Sequence, residues 1–290
     1  MDENIEISEV LVRELILDQF PQWSHLPVVK LEPGGWDNRT FRLGDRLLIR
    51  VPSAKIYENQ VEKEQIWLPR FRELPGLSVP EPVGYGKPCV RFDRPWSVMT
   101  WIEGKSLRDS KLSQDQMNMI AKELAVFLSR LQKIDSHDGP KAGVQNFFRG
   151  SHLTVYEEEA KKSMAEMTDG QVRDLLLEVW NKACSGHWTF PSVWVHGDIS
   201  SGNLLIEKGW LTAVIDFGCL GVGDPACDYM IAWTGMNQES RNLFRLFSGI
   251  DDQTWDRARG WALWKIMQTS GPESEKRDLV LKEIIDDFCR

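Results

Sequence analysis

The spacing of apolar positions changes part-way along the chain. Leu11, Val12, Leu15, Ile16 and Phe20 recur at three- and four-residue intervals and end at Pro21, which predicts an amphipathic helix closed by a residue that cannot extend it. From residue 28 to 51 the pattern is that of strands, with TFRL and RLLIRV flanking Gly44-Asp45, a dipeptide suited to a tight hairpin turn. Helical spacing returns between Lys55 and Leu74 through Val61, Trp67, Leu68 and Phe71. Pro75, Gly76, Pro80 and Pro82 then mark a loop, and WSVMTWI is an apolar run of the length of a buried strand.

Beyond Glu103-Gly104 the helical pattern dominates. Ser113 and Gln116 form a capping box in front of Ile120, Leu124, Leu128 and Leu131, which share one face. Val172, Leu175, Leu176 and Val179 mark a further helix. VWV at 193–195 and LTAVI at 211–215 are the strong strand signals of this half, and after Asp228 the pattern is helical almost to the end. The distribution predicts an α+β protein of two lobes, strand-rich over residues 1–103 and mainly helical over 104–290.

Composition narrows the classes. A chain of 290 residues with 42% hydrophobic content can bury a large core. Its formal charge of -8 argues against nucleic acid as the main partner, because phosphate binding needs a basic footprint. Five cysteines, an odd number without CxxC spacing, suggest reduced thiols and neither a disulfide framework nor a zinc cluster. The first twenty residues lack the basic region, apolar run and cleavage site of a signal peptide, and no stretch of about 18 apolar residues offers a membrane span. The expectation is a cytoplasmic protein with no membrane association and no obligate protein partner. Most of the thirteen tryptophans are expected in the core or between the lobes.

The chemistry concentrates in VWVHGDISSGNLLIEKGWLTAVIDFGCLGVGDPACDY, residues 193–229. Phosphoryl transfer asks little covalent help of a protein; it needs an oriented hydroxyl and metal ions that neutralise phosphate charge. A carboxylate that accepts the hydroxyl proton, an amide oxygen and a second carboxylate on magnesium meet those needs. Asp198, Asn203 and Asp216 are the candidates for these three roles. Gly34 and Gly35 precede the first hairpin strand, where the lack of a Cβ lets backbone approach phosphates closely.

HGDISSGN resembles the catalytic loop of the aminoglycoside phosphotransferase family, and IDFG resembles its metal-binding motif. The kinase catalytic loop places its Asn five positions after its Asp, as Asn203 follows Asp198. The likeness extends back to GGWDNRTFRL and VEKEQIWLPRF and forward through GDPACDY, leaving out roughly the last sixty residues. It implies a bilobal protein-kinase-like fold, a nucleoside triphosphate (ATP or GTP) in the cleft and Mg2+ at Asn203 and Asp216. It also implies that Glu64 pairs with a strand-borne lysine on the α- and β-phosphates; here Arg50 occupies that position, with Lys55 nearby. The run from Met99 to Ile102 resembles the hinge that reads the purine through backbone groups, making Thr100 and Ile102 nucleotide contacts. His196 becomes a support of the loop, and Asp228 a helix cap or loop anchor.

Only a dozen positions separate Asp216 from Asp228 and no APE follows, so a peptide acceptor does not fit. The expected acceptor is a small molecule, most readily an aminoglycoside-type antibiotic, with a macrolide, choline-like or sugar metabolite as alternatives and a catalytically silent nucleotide-binding module as the rival class. Glu157, Glu158, Glu159, Asp251, Asp252, Asp286 and Asp287 are the acidic candidates for contacting a polyamine.

Overall fold

The computed structural model describes residues 6–32, 34–35, 37–269 and 274–290. Helix α1 (Glu9–Gln19) is capped by Ser8, whose hydroxyl accepts the Leu11 N–H, and buries Val12, Leu15 and Ile16. These side chains join a core with Phe41, Ile49 and Val98. Among the described residues the sheet over this core holds β1 (Val28–Lys30), β2 (Asn38–Leu43), β3 (Leu47–Pro52), β4 (Pro82–Gly86) and β5 (Trp96–Thr100), antiparallel throughout in the order β1-β2-β3-β5-β4.

Local details depart from the sequence pattern for identifiable reasons. Leu43 pairs with Leu47, so Arg46 joins Gly44 and Asp45 in the turn, and Gly44 takes the left-handed conformation at φ 56°. The segment after β3 is not one helix. It runs as a 3-10 turn at Lys55–Tyr57, then α2 (Glu58–Trp67), then a second 3-10 turn at Leu68–Phe71. Pro69 lacks the N–H that a continuing α-helix would donate. Strand β4 carries Pro82, Gly84 and Gly86, which erase the alternation that would announce it and are tolerated because β4 lies at the sheet edge.

The helix-rich part of the chain follows. After β6 (Lys105–Ser106) comes α3 (Gln114–Leu131), where both halves of the Ser113–Gln116 capping box are formed. Then come α4 (Glu157–Ala165), α5 (Gly170–Ser185), β7 (Val193–Val195), β8 (Leu204–Glu207), β9 (Trp210–Val214) and β10 (Gly221–Gly223). Four more helices complete the described chain: α6 (Ile231–Thr234), α7 (Gln238–Ser248), α8 (Asp252–Met267) and α9 (Ser274–Phe288). β6, β8 and β9 form one small sheet and β7 with β10 another. β6 (Lys-Ser) and β10 (Gly-Val-Gly) lack the run of β-branched and aromatic residues that announces β7, which explains why they escape a sequence reading.

Trp180, Trp194, Trp255 and Trp261 are fully buried in the helical core. Trp194 also receives Trp67 and Phe71 from the α2 region, each ring centroid 5.1 Å away. Aromatic packing thereby fixes α2 against the strands that carry the HGD and IDFG segments.

Candidate active site

The loop between β7 and β8 owes its shape to Gly197 and Asp228. Gly197 sits at φ 84°, and a Cβ there would lie 2.3 Å from the Cys219 carbonyl oxygen. Any side chain is excluded at that position by backbone conformation and by space. Asp228 is buried on the 3-10 segment Pro225–Met230; its two carboxylate oxygens accept the N–H groups of His196 at 2.8 Å and Gly197 at 2.7 Å. It anchors the loop and caps no helix. Burial pushes its carboxyl up to about 7 against the opposing effect of those two N–H donors.

His196 is buried with both ring nitrogens engaged: Nε2 lies 3.0 Å from the Ile215 carbonyl, and Nδ1 accepts the Asp198 N–H at 3.1 Å. The donor at Asp198 requires a lone pair on Nδ1, so the ring is neutral with its proton on Nε2, in line with the lowering of its pKa by burial. A ring committed in this way supports the loop and is no free base.

Asp198 is half-buried, and Asn203 reaches back to it: the amide nitrogen donates to the Asp198 carbonyl at 2.9 Å and to its Oδ2 at 3.1 Å. Both donor interactions of Asn203 thus go to Asp198, and its amide oxygen carries no hydrogen bond among the described residues. Asp216, just past β9, has φ 66° and ψ 71° without being glycine, a strained backbone of the kind that collects at functional sites.

Arg50 on β3 is buried and forks. One nitrogen meets Glu64 Oε1 on α2 at 2.5 Å, the other Asp216 Oδ1 at 2.5 Å. Burial alone would weaken the guanidinium charge, but the two carboxylates outweigh it and raise its pKa above the usual arginine value. Burial likewise raises Glu64 while Arg50 opposes it, and burial works to raise Asp216, yet Arg50 prevails and lowers it. Asp216 is therefore a carboxylate at neutral pH. Lys55 is exposed and forms no ion pair among the described residues.

A cavity of about 220 Å³ opens between the sheet and the helical lobe, lined by Arg50, Thr100, Ile102, Asn203, Leu205 and Asp216 among others. In the segment leading out of β5, the N–H of Thr100 donates to Glu81 and that of Trp101 to Arg46, whereas Ile102 makes no backbone bond among the described residues. Gly34 and Gly35 lie exposed on the loop after β1, outside the cavity lining. A Cβ on either would meet nothing nearer than 3.5 Å, so no neighbour within the chain requires glycine there.

The profile of the phosphotransferase enzyme family matches residues 28–261. The chain belongs to that family. It is a small-molecule phosphotransferase of the protein-kinase-like fold. Aminoglycoside 3'-phosphotransferase of Escherichia coli is 29% identical over 206 residues, covering 67% of this chain and 71% of that protein. Among solved structures, the GDP complex of aminoglycoside 2'-phosphotransferase-IIIa superposes with a TM-score of 0.74 at 18% identity, covering 97% and 98% of the two chains. Macrolide 2'-phosphotransferase type I does so at 0.63 with 16% identity, covering 96% and 94%.

Two further charged residues of the phosphotransferase lie near these groups. Asp37, after the two glycines, accepts a 2.8 Å hydrogen bond from the buried Gln60 of α2, and burial raises its pKa. Lys265 of α8 lies 3.7 Å from Asp198. Asp37 lies within the GGWDNRTFRL stretch, whereas Lys265 belongs to no contiguous motif, so spacing along the chain gives no signal for the lysine. The acidic candidates for acceptor contact are largely engaged elsewhere: Glu157 with Lys161, Asp252 with Arg245, and Asp287 with Arg259 and Arg241. Asp251 caps α8, and Glu159 accepts from Trp264. The side chains of Glu158 and Asp286 form no hydrogen bond or ion pair among the described residues.

Proposed function

We propose that the enzyme transfers the γ-phosphoryl group of ATP or GTP to a hydroxyl of an aminoglycoside-type antibiotic, a reaction whose outcome in a cell is antibiotic resistance. The observation that carries this reading is the convergence of Arg50, Asn203 and Asp216 on one cavity, with Asp198 hydrogen-bonded to Asn203 at its edge. Asp198 orients the acceptor hydroxyl and takes its proton. Arg50, held by Glu64, meets the nucleotide phosphates where a lysine is usual. Gly34 and Gly35 offer backbone to the phosphates, and the segment from Thr100 to Ile102 meets the base. Residues 1–103 act as the nucleotide lobe and 104–290 as the catalytic and acceptor lobe.

Asn203 and Asp216 supply hard oxygen donors suited to Mg2+, which characteristically takes one or two carboxylate ligands plus substrate phosphates in place of a full protein cage. Among the described residues no group of three His, Cys, Asp or Glu forms such a cage, and the donor set here fits that sparse pattern. When bound, Mg2+ would neutralise charge on the phosphates. Among the described residues no helix is long and apolar enough to cross a membrane, and a cytoplasmic setting is part of the same proposal.

The engagement of Glu157, Asp252 and Asp287 in internal ion pairs favours a second reading, in which the acceptor carries less positive charge, such as a macrolide or a sugar metabolite. A coupled assay of ATP and GTP turnover against kanamycin, gentamicin, streptomycin, a macrolide, choline and simple sugars separates the two. Turnover with an aminoglycoside supports the first reading, turnover confined to the others supports the second, and nucleotide binding without turnover on any of them marks a silent module.

A further inference from the structure

We infer that Lys265 is a catalytic residue of this phosphotransferase, supplying on the acceptor side of the cleft the positive charge that the catalytic loop lacks. The inference rests on the assignment of Asp198 as the group that receives the hydroxyl proton. The four residues between Asp198 and Asn203 are Ile199, Ser200, Ser201 and Gly202, none of them cationic. On the opposite side Arg50 is committed to Glu64 and Asp216. Arg149 is buried with its guanidinium 4.6 Å from the Trp264 ring, Lys63 donates to the Gln145 carbonyl, and the exposed Arg108 lies against Gly202 without an ion pair to Asp198 among the described residues. Among the described residues the cation at ion-pair distance from the Asp198 carboxylate is the ammonium of Lys265.

The geometry suits a working group more than a structural pair. Lys265 Nζ stands 3.7 Å from Asp198 Oδ1, while Asn203 occupies Oδ2. A separation of 3.7 Å is an ion pair but too long for a hydrogen bond, so the ammonium donors remain open and an oxygen can sit between the two groups. The Lys265 side chain is 44% exposed, and an isolated pair of that exposure adds little stability. Its backbone, in contrast, is fixed. Trp261, Ala262, Leu263 and Ile266 are buried around it, and Trp264 stacks on Tyr156 at 4.0 Å and donates to Glu159 at 3.1 Å. The last turn of α8 therefore holds the Lys265 backbone in place beside the Asp198 loop. A lysine there also offsets the helix dipole, but that effect does not call for a position next to Asp198.

In the reaction the acceptor oxygen forms a bond to the γ-phosphorus as the bond from phosphorus to the β,γ-bridging oxygen breaks. The nucleoside diphosphate leaves with that electron pair, and the hydroxyl proton passes to Asp198. Lys265 keeps its proton throughout and donates N–H bonds to the equatorial oxygens of the phosphoryl group in flight, where the charge is greatest.

The test compares Lys265→Met and Lys265→Arg with the wild-type enzyme. It measures kcat and KM on an acceptor from the panel above, the slow hydrolysis of the nucleotide by water, the affinity for MgADP or MgGDP, and Tm. Loss of one electrostatic donor at a transferring group is expected to lower kcat about 100-fold or more in Lys265→Met. Diphosphate affinity should stay within about twofold and Tm almost unchanged, because Lys265 meets only the transferred group. Lys265→Arg should recover a substantial part of kcat. Turnover of Lys265→Met within a few-fold of wild type overturns the inference, and so does a loss of kcat matched by equal losses of diphosphate affinity or of Tm. Asp198→Asn, assayed beside them, keeps the questions apart: full turnover there defeats the assignment of Asp198, whereas full turnover in Lys265→Met alone defeats only the role given to the lysine.

Discussion

Asp198 and Asp228 are two aspartates of one loop system with opposite environments. Asp198 is part-exposed, with Lys265 near one oxygen and Asn203 on the other. Replacing it with asparagine preserves volume and removes the charge, so kcat is expected to fall by about two to four orders of magnitude. Nucleotide affinity and Tm should hardly move; unchanged kcat with altered Tm would make Asp198 a turn anchor. Asp228 is buried, and its folded-state pKa is raised from 3.8 to about 7. A raised pKa means that the folded protein binds the proton more tightly than the unfolded chain. The associated stability is therefore complete below pH 4 and is lost as pH rises through 7. The destabilisation caused by Asp228→Asn, read from urea unfolding, should accordingly be larger at pH 5 than at pH 8. A cost that grows with pH would refute the assignment of the shift to this group.

At the scale of elements, legibility in the sequence follows length and contiguity. The α3 helix is announced by Ser113, Gln116 and an apolar stripe, and both bonds of its capping box are formed. Ser113→Ala should cost about 1 kcal/mol, seen as a lower Tm without loss of nucleotide binding. A neutral substitution would show that packing of the helix on α7 alone sets its start. The edge strand β4 is hidden by its own proline and glycines, and β6 and β10 by having no run of β-branched or aromatic residues. The site divides in the same manner. Asp198, Asn203 and Asp216 stand on a single stretch of chain, and the five-position separation of the first two becomes a side-chain hydrogen bond. Lys265 and Gln60 reach the same region from helices distant in sequence, within segments such as WALWK that read as core. Only tertiary packing brings them there, and no local pattern encodes it.

Taken as a whole, the molecule has two hydrophobic cores, one under the sheet and one among the helices, with the cavity between them. Arg50 on β3 bridges the cavity, pairing with Glu64 of α2 and with Asp216 just past β9. If Asn203 and Asp216 hold the metal, titration of Mg2+ should strengthen nucleotide binding, and Asp216→Ala should abolish turnover; affinity and turnover indifferent to Mg2+ would remove the metal assignment. The same arginine has a practical consequence. Reagents that label nucleotide enzymes by acylating the phosphate-binding amine need a neutral nitrogen nucleophile, and a guanidinium is never appreciably deprotonated. Acyl-phosphate derivatives of ATP should therefore occupy this cleft without modifying position 50, and Arg50→Lys should turn the enzyme into one that such a probe captures, as peptide mapping by mass spectrometry would reveal.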